Sequence, residues 1–266
     1  MKGYKGFEPG LICRGKQYAE NTVFEEEEAE ICSYGMHFCE NPFDVLDYYG
    51  FINDTGDFNE FAEVEALDEV KTDNNRKFCT KKLKIGAKLS ISKFINACVD
   101  FAIEKTSTCI ADNKISSGDS AQIGSSGNFA QIGSSGNFAQ IGSSGDSARI
   151  GSSGYSAKIG SSGNFAQIGS SGYSAQIGSS GNSAQIGSSG DSARIGSSGE
   201  DCVICCAGHN SAVKAKKGSW ITLAEWEYSK EKERYIPKCV KTEFVDGERI
   251  KEDTLYKLID GEFVEV

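Results

Sequence analysis

Isoleucine recurs at every ninth position from Ile123 to Ile195 without a slip, and an alanine stands two residues before each. A period this strict means that one small structural unit is repeated, and that no unit buries its apolar side chains alone. The units run from Gly118 to Ser198 and follow G-[DNY]-[SF]-A-[QRK]-I-G-S-S. Ala-x-Ile puts two apolar side chains on one face of a short strand. The Ser or Phe before the alanine and the Gln, Arg or Lys after it then point outward. G-S-S-G is the expected corner, with glycine supplying a positive φ at no steric cost. Stacked units make a β-solenoid. Alanine is small enough for a thin core, which favours a two-sided coil of two units over a three-sided coil of three. At about 4.8 Å per coil, about 4.5 coils make a rod about 22 Å long.

Other readings of a Gly/Ser-rich stretch fail on particulars. The chain has 31 Gly but only 3 Pro, so neither collagen nor a Pro-rich linker fits. A flexible linker has no use for an invariant Ala-x-Ile. A calcium-binding roll needs an aspartate in nearly every unit, whereas only Asp119, Asp146 and Asp191 are present. An ice-binding face wants a flat threonine array. The outward positions instead carry Phe129, Phe138, Phe165, Tyr155 and Tyr173, a candidate contact surface on a rigid platform. Packing between repeats at the corners is the competing role for these rings.

The fold class expected is mainly β, in four parts. Residues 1–89 form a small acidic α+β domain, with a short helix opened by Asn41-Pro42 and strands at Glu60–Leu67 and Lys77–Ile85. Residues 90–117 hold a helix with apolar residues at helical spacing from Ile91 to Ala102, expected to plug the first coil, and a shortened unit at Asp112–Ser117. Residues 118–217 are the array, ending in two degenerate units at Gly199–Ala207 and Gly208–Lys216. Residues 218–266 are a β region with turns at Asp246-Gly247 and Asp260-Gly261.

Ten cysteines at irregular spacing, behind an N-terminus without a signal-peptide stretch, lead to an expectation of free thiols in the cytoplasm of a bacterial host cell. No apolar run reaches the 18 residues a membrane span needs. Cys202, Cys205, Cys206 and His209 spell C-x-x-C-C-x-x-H, which invites zinc. The repeat register argues against it, because Cys202 takes an inward alanine place and Cys205 and Cys206 fall at a corner. No metal and no cofactor is expected.

Charge is uneven. The formal net charge is −10. Residues 17–70 hold 16 acidic residues and no Lys or Arg. Glu25, Glu26, Glu27, Glu28, Glu30, Asp44, Asp47, Asp54 and Asp57 form a candidate surface for a basic partner protein, against the bland reading of a solvated acidic face. An acidic chain is not expected to bind nucleic acid directly. No P-loop, G-x-S-x-G, H-E-x-x-H or dinucleotide fingerprint is present, and no catalytic residue is assigned.

Two resemblances bear on function. MKGYKGF, CRGKQY, GMHFCENPFDVLDYY, GSWITLAEW and the C-terminal DGERIKEDTLYKLIDGEFVEV resemble a family of uncharacterised phage and prophage proteins that enclose a central repeat array between fixed flanks. Here Ile and G-S-S replace the Leu and small corner residues of that family. The order of Cys13-Arg14-Gly15, read as part of a strand, then Tyr34–Phe38, Tyr48-Tyr49, and Glu63 with Glu65 also resembles ADP-ribosyltransferase-like folds. The leading expectation is a non-enzymatic phage-derived solenoid that inhibits a basic, nucleic-acid-handling or defence protein of the host, as an acidic mimic of nucleic acid. The alternatives are a structural or adhesive virion module, with homo-oligomers formed through the solenoid or its ends, and an ADP-ribosyltransferase-like enzyme with a solenoid rod. A sponge for a small nucleotide, held by backbone N–H groups at the glycine corners, is a further variant.

Overall fold

The structure is a computed structural model that describes residues 1–73, 75–106 and 113–266. It is mainly β, and its centre is a β-solenoid of about six turns between residues 115 and 223. One sheet contains β10 (Asn113–Ser116), β12 (Gln131–Ser134), β14 (Arg149–Ser152), β16 (Gln167–Ser170), β18 (Gln185–Ser188) and β20 (Val203–Cys206). The other contains β11 (Gln122–Ser125), β13 (Gln140–Ser143), β15 (Lys158–Ser161), β17 (Gln176–Ser179), β19 (Arg194–Ser197) and β21 (Ala212–Lys214). Each strand pairs in parallel with the one 18 residues on, Ile123 opposite Ile141 and Ile132 opposite Ile150, so the coil is two-sided. The isoleucines from Ile123 to Ile204 and the alanines from Ala130 to Ala193 are buried in one thin core. The rod exceeds the expected 4.5 coils because the degenerate units take full part: Val203 pairs with Gln185 and Ala212 with Arg194. Asp112, in the shortened unit, lies outside the described residues.

The corners differ from the expectation. No array glycine has a positive φ. The left-handed residue is the Ser or Phe before the alanine, such as Phe129 (φ 60) and Ser147 (φ 56), and the strand begins only after the alanine. That conformation costs about 1–2 kcal/mol for a residue with a Cβ. Hydrogen bonds between coils offset it: Phe129 N–H donates to Asp146 O at 2.8 Å and Ser147 N–H to Asn164 O at 2.8 Å. The Asp or Asn one position earlier has its own role. Asn128 Oδ1 accepts from Asp146 N–H, Asp146 Oδ1 from Asn164 N–H, and Asn164 Oδ1 from Asn182 N–H, at 2.8–3.0 Å. The corner glycine is required by crowding. A Cβ on Gly136 would stand 1.9 Å from Gly118 O, and one on Gly163 2.0 Å from Gly145 O.

The solenoid ends in antiparallel hairpins that extend both sheets. β22 (Trp220–Ser229) continues one sheet beside β20 and carries β23 (Arg234–Phe244). β24 (Leu255–Ile259) and β25 (Glu262–Glu265) continue the other beside β21. Such atypical ends cover edges that would otherwise pair with other chains. Cys205 and Cys206 lie on strand β20 rather than at a corner, Cys205 exposed in an outward glycine place and Cys206 buried in an inward serine place. Alternation sends their side chains to opposite faces of the sheet.

The N-terminal region comprises β1 (Lys2–Phe7), β2 (Ile12–Cys13), β3 (Lys16–Gln17), β4 (Val23–Glu25), β5 (Met36–Phe38), α1 (Pro42–Val45), β6 (Glu60–Ala66), β7 (Val70–Thr72), β8 (Phe78–Thr80), β9 (Lys82–Leu89) and α2 (Ile91–Thr106). An antiparallel sheet of order β1-β6-β9-β4 packs beside a smaller sheet β5-β8-β7. Residues 77–85 therefore make two strands in two sheets rather than one. Asn41 caps α1 through Oδ1, which accepts from Phe43 N–H.

Helix α2 does not plug the first coil. It lies along the outside of β11, β13, β15 and β17. The outward glycines of that sheet leave a groove, and the buried face of α2 fills it. Val99 lies over Gly142 and Ile95 over Gly160. The segment 41–58, which begins with α1, continues along the same sheet. Gln140 bonds Asn41 and Asp44 at 2.9 and 3.1 Å. Lys158 donates to Phe43 O at 3.1 Å and pairs with Asp47. Phe51 lies over Gly178. Arg194 pairs with Asp54 at 2.8 Å and donates to Ile52 O at 3.2 Å. Lys214 donates to Gly56 O at 3.2 Å. Gln140, Lys158 and Arg194, each the outward residue after an alanine, thus answer particular residues of the segment 41–54, and Lys214 answers Gly56 from the outward glycine place.

Gly163→Ala should destabilise the fold by about 2–3 kcal/mol through the corner clash. Gly151→Ala, where a Cβ meets nothing within 4 Å, should change stability by less than about 1 kcal/mol; thermal denaturation of the pair checks both. Lys158→Ala leaves Asp47 and the Phe43 carbonyl without their buried cation and should cost about 2–3 kcal/mol, less than a fully buried pair because Asp47 is partly exposed. Denaturant titration of the variant reads that loss.

Candidate functional site

The N-terminal region encloses a cleft of about 550 Å³ lined by β1, the β2–β3 hairpin, β5 with the loop before it, and the residues after α1. Its size is that of a small-molecule site. Four cations face it: Lys5, Arg14, Lys16 and Lys77. So do the rings of Tyr18, Tyr34, Tyr48 and Tyr49. Such a lining is unexpected in a chain of net charge −10.

Arg14 is positioned by its backbone. Cys13 and Lys16 pair across a two-residue turn in which Arg14 (φ 51) and Gly15 (φ 75) are both left-handed. A turn of this kind favours Asn-Gly, so an arginine at its first place is held at a local cost. Its side chain is exposed and forms no hydrogen bond or ion pair among the described residues. Cys13-Arg14-Gly15 is thus a hairpin tip rather than part of a strand.

The deeper residues are tied to one another. Lys5 is buried, donates from Nζ to His37 O at 2.9 Å and lies 5.4 Å from the Tyr18 ring centre. Burial lowers its pKa, against the opposing pull of Cys13. Lys16 lies on Tyr18 too, at 5.4 Å, and pairs with Glu26 at 2.7 Å. Tyr49 donates from its hydroxyl to Cys13 Sγ at 3.1 Å, and burial with this bond raises its pKa. The Tyr49 side chain occupies the place where a Cβ on Gly6 would stand, 2.6 Å away. Lys77 donates to Cys32 Sγ at 2.9 Å and lies 5.0 Å from the Tyr48 ring centre. Burial pushes the Cys39 thiol up to about 12.

His37 is held neutral. Burial, then Lys5, Lys77 and Arg14, lower its pKa to about 4. Its Nε2 accepts from Cys32 N–H at 3.1 Å, a bond that a proton on Nε2 would break.

The sequence-selected residues scatter. Arg14, Tyr34, His37, Tyr48 and Tyr49 do line one cleft. Glu63 and Glu65, on β6, are not among the cleft-lining residues, and the carboxylates that face it are Glu26 and Asp47. The acidic window divides. Asp44 is buried and bonds Arg76 and Gln140. Asp47 pairs with Arg76 and Lys158, and Asp54 with Arg194. These three meet basic residues of their own chain. Asp57 sits in the turn 53–57. Glu25 pairs with Lys82 and Glu26 lies at the cleft, whereas Glu27, Glu28 and Glu30 are exposed. The array aromatics are exposed on two corners. Phe138, Tyr155 and Tyr173 line one, Phe138 edge-on to Tyr155 at 5.6 Å and Tyr155 stacked on Tyr173 at 5.4 Å between ring centres. Phe129 and Phe165 stand on the other. Lys5 and Lys77 were not singled out by sequence; only their place between tyrosines in the fold marks them.

Residues 1–97, which contain the whole cleft, match the model of a family described as a domain of unknown function, DUF7666. No curated protein sequence and no solved structure matches the chain. Neither the matched domain nor the solenoid gives a sign of catalytic activity. No helix among the described residues is long and apolar enough to cross a membrane.

The His37 pKa gives a signed expectation. An unfolded chain takes up the proton near the ordinary value of 6.5, the folded one only near about 4. Stability present in full above pH 6.5 is therefore lost as pH falls toward 4. The loss is on the order of 1–2 kcal/mol once solvent screening of the partly exposed ring is allowed for. His37→Gln should flatten this part of the stability–pH curve.

Proposed function

We propose that this chain is a non-catalytic binding protein whose N-terminal cleft takes up a nucleotide, with the solenoid as its rigid support. The observation that carries the reading is Arg14, held left-handed at a hairpin tip beside Lys5, Lys16, Lys77 and four tyrosines. A flat base stacks on tyrosine faces, and a phosphate answers cations whose charge is not cancelled by nearby carboxylates. Arg14 is such a cation: its side chain forms no hydrogen bond or ion pair among the described residues. The phage resemblance of the sequence fits a protein that sequesters a host nucleotide.

A second reading keeps the inhibitor of a basic host protein. It is favoured by the exposed carboxylates of Glu27, Glu28 and Glu30 beside the cleft. Asp44, Asp47 and Asp54 no longer support it, since their charges are met within the chain.

Isothermal titration of the full chain with ADP and with NAD⁺ tests the first reading. Binding of either is expected, weakened at least tenfold, about 1.4 kcal/mol, by Arg14→Ala or Lys77→Ala. NAD⁺ recovered intact afterwards separates binding from turnover. No heat with either nucleotide at millimolar concentration removes the reading. A basic partner captured at low salt and lost on Glu27→Lys with Glu28→Lys would support the second instead.

A further inference from the structure

The two sheets of the solenoid are made from one repeat, yet only one is covered. On the covered sheet the glycine column is filled by Val99 at Gly142, Ile95 at Gly160, Phe51 at Gly178 and Phe58 at Gly196. The adjoining column, Gln140, Lys158 and Arg194, meets Asp44, Asp47 and Asp54. The open sheet repeats this surface without its cover. Gly133, Gly151, Gly169 and Gly187 line a shallow groove of about 840 Å³. A Cβ on any of the last three would meet nothing within 4 Å. Beside the groove run Gln131, Arg149, Gln167 and Gln185. Arg149 takes the place that Lys158 and Arg194 hold opposite, and its side chain forms no ion pair or hydrogen bond among the described residues. Phe129 and Phe165, 72% and 61% exposed, rim the same column two coils apart, with Arg149 between them.

We propose that the open sheet docks an α-helix of a partner protein, apolar on one face and bearing a carboxylate for Arg149. The covered sheet is the template. Residues four apart on a helix advance about 6 Å, close to the coil spacing of about 4.8 Å, so an i, i+4 stripe drops one side chain into each successive glycine gap. Ile95 and Val99 do this over Gly160 and Gly142. A carboxylate on the partner meets Arg149 as Asp47 meets Lys158. A second copy fits poorly, because two glycine grooves face to face are both concave and set Arg149 toward like charge. Nucleic acid fits poorly, because the array face offers one cation rather than a row. This surface is distinct from the nucleotide cleft, and either proposal stands without the other.

The probe is a fluorescent, N-acetylated 16-residue peptide with the sequence of residues 91–106, added to the full chain and followed by anisotropy. Saturable binding is expected. Gly151→Gln with Gly169→Gln, which put side chains into the groove at positions whose Cβ is open, should weaken it at least tenfold at an unchanged melting temperature. Arg149→Glu should weaken it about threefold, and more at low salt. Should the glycine variant melt early, Phe129→Ser with Phe165→Ser is the second variant, since serine already stands at that place in other repeats; it too should weaken binding severalfold. No binding, or binding indifferent to both variants, overturns the proposal. Sedimentation of the protein alone closes the remaining case: a dimer dissolved by the glycine substitutions would make a second copy the occupant and overturn the partner helix.

Discussion

The approach of one corner to the next governs this protein. At every coil a glycine carbonyl lies about 2 Å from where a Cβ would stand on the glycine 18 residues later. That contact sets the coil spacing, and the spacing brings the rest into line. The Asx side chain reaches the next corner's N–H, the left-handed residue reaches the next corner's carbonyl, and isoleucine stacks on isoleucine. Each interaction is small and none survives alone, because a coil has no core without its neighbours. The serine or phenylalanine that takes the strained φ does so at no net loss, since the strain recurs where two hydrogen bonds recur.

A rod this regular has two equivalent faces until something breaks the symmetry. The N-terminal segment does so through a few departures from the repeat. Lys158 and Arg194 replace glutamine on the sheet that is covered, and each meets a carboxylate of the segment 41–58. The acidic window is in part the other half of that fit. Counted along the chain it looks like a surface awaiting a basic partner. In the fold, Asp44, Asp47 and Asp54 already have basic partners, and the exposed edge at Glu27, Glu28 and Glu30 is part of what is left. The same departures tie array length to the N-terminal domain, since removing one coil would carry Arg194 away from Asp54.

Much of this was legible. The nine-residue period specified one stacked strand per unit with inward alanine and isoleucine, though not that the strand runs on through Gly to an inward Ser, and the size of alanine favoured two units per coil. The corner chemistry was misread because glycine serves two purposes, positive φ and close approach, and sequence cannot tell which is in use. The place of α2 was misread for a related reason. Its apolar face announced burial, but not whether it would meet the end of the rod or a groove of glycines along its side. At the cleft, the order of Arg14, His37 and the tyrosines was suggestive, while Lys5 and Lys77 looked like any surface lysine.

The amino-acid sequence alone determined the solenoid and its β ends and favoured a two-sided coil, because these follow from contacts that recur at one short separation; the 18-residue register settled the coil. The tertiary structure decided which solenoid face is covered, which carboxylates are spent within the chain, and which cations meet the tyrosines of the cleft. The bonds across the covered face join residues 96 to 158 positions apart. A pairing at such a distance leaves no period in the sequence, only a lysine or an arginine where a glutamine was due.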